Sequence, residues 1–155
     1  MKLSIIIPVY NEVNYLEKFT ENLLNSFKKD DAEFIFVNDC STDGSDKLLI
    51  SLINKYKDER FRFHSLKKNK GKGFALREGL KISKGEYILF QDSDLELDTN
   101  DSKEMFEIIC NKNDMEVIFG SRYLSGKLKR NSKLIYLIFG KFNSFIFNIF
   151  FSQSI

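Results

Sequence analysis

Histidine, cysteine and net charge are all in short supply in this chain, and each shortage narrows its chemistry. His64 is the only histidine and has no metal-ligand spacing around it, so it reads as structural. A Ser-His-Asp or Cys-His nucleophilic arrangement has almost nothing to draw on. Cys40 and Cys110 are the only cysteines, too few for a disulfide framework, and read as reduced thiols in a cytosolic setting. A formal net charge of +2 is too small to imply nucleic-acid binding by itself. The amino-terminal apolar run, Leu3 to Ile7 closed by Pro8, is too short for a signal peptide and fits a first strand. No internal repeat or long linker divides the 155 residues, and the GxxxxGK[ST] spacing of a P-loop is absent.

What remains is a globular composition, 43% hydrophobic and 30% charged, long enough for one domain with a real core. Leu3 to Val9 reads as a short, β-branched, buried strand that ends near Pro8, where a ladder hydrogen bond is lost. A helix capped by Asn11 or Asn14 follows, with Leu16, Phe19, Leu23, Leu24 and Phe27 as its apolar stripe. Phe34 to Val37 is the second strand. A polar turn then offers Ser41, Thr42 or Asp43 as cap for a helix that turns Leu48, Leu49, Leu52, Ile53 and Tyr56 inward. Phe61 to Leu66 is a third strand, and a helix carrying Phe74, Ala75, Leu76, Leu80 and Ile82 ends before Gly85. Tyr87 to Gln91 is a fourth strand, a helix spans about 101–111, and Glu116 to Phe119 is a fifth strand. This alternation predicts an α/β fold with a mostly parallel sheet covered on both faces.

The chemistry concentrates where apolar strands stop. Asp92, Asp94 and Glu96 follow the fourth strand at i, i+2, i+4, so they converge if the extended backbone persists. Three carboxylates at a strand's carboxyl end suit a hard divalent cation, and ligands of open α/β sheets bind at that edge. The alternative is a solvated loop with capping carboxylates. Asp39 ends the second strand and either accepts hydrogen bonds from a base or ribose, or closes an Asx turn or helix cap. Asn69 to Gly73, with Lys72, offers amides and positive charge to a phosphate. Arg122, in Gly120-Ser121-Arg122-Tyr123, either holds a diphosphate or carboxylate through paired hydrogen bonds or is a plain surface arginine.

These segments carry a resemblance. Ile5-Ile6-Ile7-Pro8-Val9-Tyr10-Asn11-Glu12 is similar to the opening strand and loop of the family 2 glycosyltransferases of GT-A fold, nearest to the polyprenyl-phosphate (dolichyl-phosphate) mannosyl- and glucosyltransferases. Phe36 to Ser45 resembles their VDDGSTDGT segment, with Asn38 and Cys40 as the main substitutions. Lys70 to Gly79 resembles GKGxAxRxG, Asp92 to Glu96 resembles DADLE or DADLQ, and Gly120 to Tyr123 resembles GSRY. Five ordered motifs cover nearly all of the chain up to Tyr123.

The resemblance implies a GT-A-like, Rossmann-like nucleotide domain over residues 1–130. It implies a nucleotide pocket lined by Pro8, Tyr10 and Glu12, with Asp39 on the base or ribose. It implies Mg²⁺ or Mn²⁺ held by Asp92, Asp94 and Glu96 against the donor's diphosphate, with Asp94 and Arg122 as the catalytic pair. The implied reaction is inverting transfer of a hexose from GDP-mannose or UDP-glucose to a polyprenyl phosphate at the inner face of the cell membrane. Two alternatives stand beside it: transfer to a saccharide hydroxyl in surface-polysaccharide synthesis, and a catalytically inactive sugar-nucleotide-binding protein. A glycine in place of Cys40 would be free to adopt positive φ, so Cys40 is expected to strain or reshape its turn.

Residues 131–155 break the pattern. After Lys127, Lys129, Arg130 and Lys133, the stretch Leu134 to Phe151 is aromatic and aliphatic with Lys141 inside it. An interfacial helix in peripheral contact with a membrane fits this composition, as do a packed helix and, less readily because of Lys141, a span. Family members continue beyond the point corresponding to Phe151 with an acceptor-side segment, which leads to the expectation that this chain is a truncated form.

Overall fold

The computed structural model describes residues 1–28, 30–112 and 116–120. Its elements are β1 (Leu3–Val9), α1 (Leu16–Ser26), β2 (Ala32–Asn38), α2 (Ser45–Tyr56), β3 (Phe61–Ser65), α3 (Lys72–Ile82), β4 (Tyr87–Phe90) and α4 (Thr99–Asn111). The four strands form one sheet in the order β3-β2-β1-β4, and every pairing is parallel. The first three strands step outward in one direction and the fourth returns to the other side of β1. That reversal opens a crevice beyond the carboxyl ends of β1 and β4, where open α/β sheets take their ligands.

Period-two alternation sorts the strand side chains onto two faces. Leu3, Ile5, Ile7 and Val9 of β1 and Phe34 and Phe36 of β2 pack with Leu16, Phe19 and Leu23 of α1, Leu49 and Leu52 of α2, and Phe106 of α4. Phe19 meets Phe36 edge-on at 6.5 Å between ring centroids, a preferred aromatic geometry. On the opposite face Ile6, Ile35 and Val37 pack against Ala75 of α3. This helix lies close to the sheet: a Cβ on Gly79 would sit 2.4 Å from Ile6 Cγ2. Complete burial of each large apolar side chain in these layers is worth roughly 1.5–3 kcal/mol.

Several elements differ from expectation. β1 runs through Pro8 to Val9. In a parallel strand alternate residues address opposite neighbours, and Ile6 O accepts from Gln91 N, on the β4 side. Pro8 has the same parity as Ile6, and β4 pairs only with residues 3–6, so its missing N–H faces a position where the ladder has already stopped. Neither Asn11 nor Asn14 caps α1; Tyr15 occupies that position without a side-chain hydrogen bond. α2 starts after Gly44 at φ +94, while Asp43 beside it accepts from Ser45 N at 3.0 Å and Ser45 Oγ at 2.6 Å. α4 starts at Thr99, where Asp98 accepts from Asn100 N. Residues 116–120 form no strand, so Glu116 to Phe119 is not the fifth strand. Its apolar residues Val117 and Phe119 are 63% and 89% exposed. β4 is half-exposed, not buried, because Ile88 and Phe90 point to the face whose covering helix, α3, lies over β1 and β2.

Candidate active site

A cleft of about 460 Å³ opens at the carboxyl edge of the sheet, within the size range of small-ligand sites. Pro8, Val9, Tyr10 and Glu12 line it from the end of β1, Asp39 from β2, Asn69, Gly71 and Lys72 from the approach to α3, and Asp92, Ser93 and Asp94 from beyond β4. Seven residues singled out in the sequence, Pro8, Tyr10, Glu12, Asp39, Lys72, Asp92 and Asp94, therefore surround one cavity.

The loops around the cleft brace one another. Asn11 adopts φ +56, which asparagine tolerates better than most residues. Its Oδ1 accepts from Thr42 N at 2.8 Å. Glu12 N donates to Ser45 Oγ at 2.9 Å and Val13 N to Asp43 Oδ2 at 3.0 Å. Asp43 is held below its ordinary range: burial opposes ionisation, but the hydrogen bonds from the Ser45 hydroxyl and from the Val13 and Ser45 amides outweigh it. Asn38 is buried and joins three segments, donating from Nδ2 to Ser65 Oγ and accepting at Oδ1 from Ser41 N and Oγ. Along the sequence Asn38 stands out only as a substitution in the segment resembling VDDGSTDGT. Its bridging role depends on Ser65, 27 positions away. Cys40 sits at φ +60, so the expected strain is present, on the order of 1 kcal/mol for a residue with a Cβ.

Asp39 is placed differently from a ligand waiting in solvent. It is 2% exposed, and its two carboxylate oxygens accept from Lys70 N at 2.8 Å and Gly71 N at 2.7 Å. The carboxylate thus folds the Asn69–Lys72 loop against the end of β2, and what it offers the cleft is its remaining lone-pair capacity. It neither caps α2 nor closes an Asx turn.

The acidic strand end also departs from expectation. Extended geometry stops at Phe90, and Leu95 turns with φ +61. Asp94 Oδ1 accepts from Glu96 N at 2.9 Å, and Glu96 is exposed and outside the cleft lining. The i, i+2, i+4 register fails because a turn stands where a strand was expected. Among the described residues no three His, Cys, Asp or Glu side chains form a ready metal cluster. Asp92 and Asp94 nevertheless face the cleft with Glu12. Lys72 Nζ lies 2.6 Å from Asp92 Oδ1 and 2.8 Å from Oδ2. Glu12 is pushed above its ordinary value by burial first, then by the charges of Asp94, Asp43 and Asp92. Crowded carboxylate oxygens around an open cleft are a donor set that fits a hard divalent cation, which would complete its coordination from a bound ligand.

Arg122, the basic cluster from Lys127 to Lys133 and the aromatic stretch 134–151 lie outside the described residues. Both cysteines are free thiols, and among the described residues no helix is long and apolar enough to cross a membrane.

Comparison with known proteins accords with this geometry. The chain is 35% identical over 129 residues to a dolichyl-phosphate beta-glucosyltransferase of Dictyostelium discoideum, a match covering 77% of this chain and 39% of that protein. It is 34% identical over 137 residues to the poly(ribitol-phosphate) beta-N-acetylglucosaminyltransferase TarP of Staphylococcus aureus, covering 87% and 41%. The chain thus spans about two-fifths of the length of these relatives. Among solved structures, the mannosyltransferase PcManGT from Pyrobaculum calidifontis, in complex with GDP-Man and Mn²⁺, superposes with a TM-score of 0.56 at 25% identity, covering 60% of this chain and 27% of that one. The expected GT-A-like fold is therefore present in the described residues. The family model for glycosyl transferase family 2 matches residues 4–153. With its cleft at the reversal point of a parallel sheet and a matched family model over almost its entire length, the chain belongs to glycosyl transferase family 2.

Proposed function

We propose that the protein binds GDP-mannose or UDP-glucose in the cleft and transfers the hexose, with inversion, to a polyprenyl phosphate at the inner face of a membrane. The observation that carries this reading is the convergence of the β1 end, the Asp39-clamped loop and Asp92 with Asp94 on one cavity. The dolichyl-phosphate relative and the GDP-Man and Mn²⁺ complex support it.

The residues divide the work. Pro8, Tyr10 and Glu12 form the wall against which a nucleotide rests, and Asp39 fixes the adjacent loop while offering an acceptor to the base or ribose. Asp92 and Asp94, with Glu96 as a third candidate, would hold Mg²⁺ or Mn²⁺. When bound, that ion supplies charge neutralisation to the departing diphosphate. Lys72, held on Asp92 without a ligand, is within the same cleft and can exchange that partner for a phosphate oxygen. Arg122 is assigned to the diphosphate or the acceptor phosphate, and residues 131–155 to peripheral membrane contact beyond a nucleotide domain of residues 1–130. A phosphate acceptor is already anionic, so no dedicated base is needed; a hydroxyl acceptor needs one within hydrogen-bond reach.

The test is calorimetric titration with UDP-glucose and GDP-mannose, with and without Mn²⁺, beside Asp94→Ala. Binding of one nucleotide sugar that requires Mn²⁺ and is lost in the variant supports the donor site. Absence of binding by a folded chain overturns it. Transfer is then assayed to polyprenyl phosphate and to a saccharide or polyol hydroxyl. The second acceptor class is favoured by the similarity to an enzyme named for poly(ribitol-phosphate). Normal donor binding without turnover on either acceptor identifies a binding protein instead.

A further inference from the structure

On the other side of the Asn69–Lys72 loop lies a second cavity, of about 490 Å³, lined by Leu66, Lys67, Lys68, Lys70, Phe74 and Glu78. We infer that it is a binding site for a phosphoryl anion, separate from the nucleotide cleft. The charge balance points there. Three lysines face one carboxylate, and Glu78 is already engaged by Lys81 Nζ at 2.7 Å. That contact, first through its hydrogen bond, holds Glu78 below its ordinary range. Lys67 and Lys68 are exposed and form no ion pair among the described residues. Lys70 Nζ sits 4.0 Å above the Phe74 ring centroid, a contact that holds a cation at the cavity wall without neutralising it.

The start of α3 adds no opposing charge. α3 begins after Gly71 with no acidic residue in its first turn, and the one carboxylate at its start, Asp39, is taken up by the amides of Lys70 and Gly71 and lines the other cavity, so it does not offset the lysines here. Leu66 and Phe74 supply apolar wall for the body of a phosphorylated molecule. The loop is rigid where it matters, because Asp39 fixes the amides of Lys70 and Gly71. The phosphoryl group has two natural sources, an anionic lipid headgroup and a free or small-molecule phosphate, and both present the same oxygens to the lysines.

The inference does not rest on donor binding and is tested apart from it. Inorganic pyrophosphate is titrated into the ¹⁵N-labelled chain of residues 1–155, followed residue by residue, for the native sequence and for Lys67→Gln with Lys68→Gln. The expected result is saturable shifts at Leu66, Lys67, Lys68 and Lys70. In the double variant these weaken by at least about tenfold, as loss of two lysines near an anion implies, while peaks from β1 and α1 stay in place and show that the fold is intact. Shifts confined to Tyr10, Lys72 and Asp92, or shifts at 66–70 that persist in the double variant, overturn the inference. Sedimentation with phosphatidylglycerol and phosphatidylcholine vesicles separates the sources. Retention on the anionic vesicles alone that falls in the Lys67→Gln, Lys68→Gln variant and is displaced by pyrophosphate supports a lipid headgroup. Pyrophosphate binding at 66–70 with vesicle retention that is absent or equal in the native chain and the double variant supports a free phosphate.

Discussion

The two ends of the sheet both gather carboxylates, and they treat them in opposite ways. At the amino edge Glu33 is wholly buried. Ser4 Oγ donates to it at 2.6 Å, Lys84 N at 2.7 Å, and Arg62 Nε completes the set. Burial resists its ionisation, but these hydrogen bonds outweigh burial and hold it below the ordinary range. At the carboxyl edge Glu12 moves the other way, raised by burial and by three neighbouring carboxylates. One end is closed and internally balanced; the other keeps carboxylates crowded beside a cavity, with Lys72 paired to one of them, Asp92. The first end anchors the strands of this chain, and the second lines the cleft.

The comparison can be broken most severely at Gly85. A Cβ there would lie 2.4 Å from Ser4 N and 2.6 Å from Leu3 C, both backbone atoms. Gly85→Ala should destabilise by about 3 kcal/mol or more, read from urea unfolding. Next comes Glu33→Gln, which removes the charge facing Arg62 and disrupts a saturated buried cluster, at a cost on the order of 2–4 kcal/mol. The same variant sharpens the pH behaviour. Glu33 titrates below its ordinary 4.5 in the folded chain, so its stabilisation is full above that value. It is lost as pH falls, because the unfolded chain takes up the proton first. The native protein should therefore lose more stability than the variant between about pH 5 and pH 3, checked by thermal melts across that range.

Substitutions at the opposite end should spare the fold and alter binding. Asp94→Asn removes one of the charges crowding Glu12. Stability should change by less than about 1 kcal/mol, while Mn²⁺-dependent binding of the nucleotide sugar falls at least about tenfold, measured by calorimetry. An unfolding midpoint that drops as far as that of Glu33→Gln would show that the carboxyl edge is structural after all. The smallest effect belongs to Gly73→Ala. A Cβ at Gly73 meets nothing within 4 Å, so alanine in the first turn of α3 should be neutral or stabilising by up to about 1 kcal/mol, in direct contrast with Gly85→Ala.

How much of this was legible in the sequence can be read from single residues. β1 was recognisable at Leu3–Val9 because a continuous β-branched run has no competing periodicity. Asp92 and Asp94 were recognisable because they break an apolar strand. Convergence of Glu96 with them was not, since it required extended backbone that the turn at Leu95 ends. Ser41, Thr42 and Asp43 were equal candidates to cap α2; Gly44 takes the cap position, and Asp43 accepts from Ser45 N beside it. Its second bond, to Val13 N, spans 30 positions and left no local trace.

By itself, then, the sequence determined the order of strands and helices from β1 to α4, though not the absence of a strand at 116–119, together with the parallel α/β class and the segments from which the cleft is built. Those follow from periodicity, turn residues and polar breaks, all properties of neighbours along the chain. Only the tertiary structure decided that Asp39 clamps Lys70 and Gly71, that Asn38 ties β2 to Ser65, and that Gly85 lies against Leu3 and Ser4. The strand order β3-β2-β1-β4 brings those residues together, and contacts across 27 to 81 positions are fixed by packing rather than by local pattern.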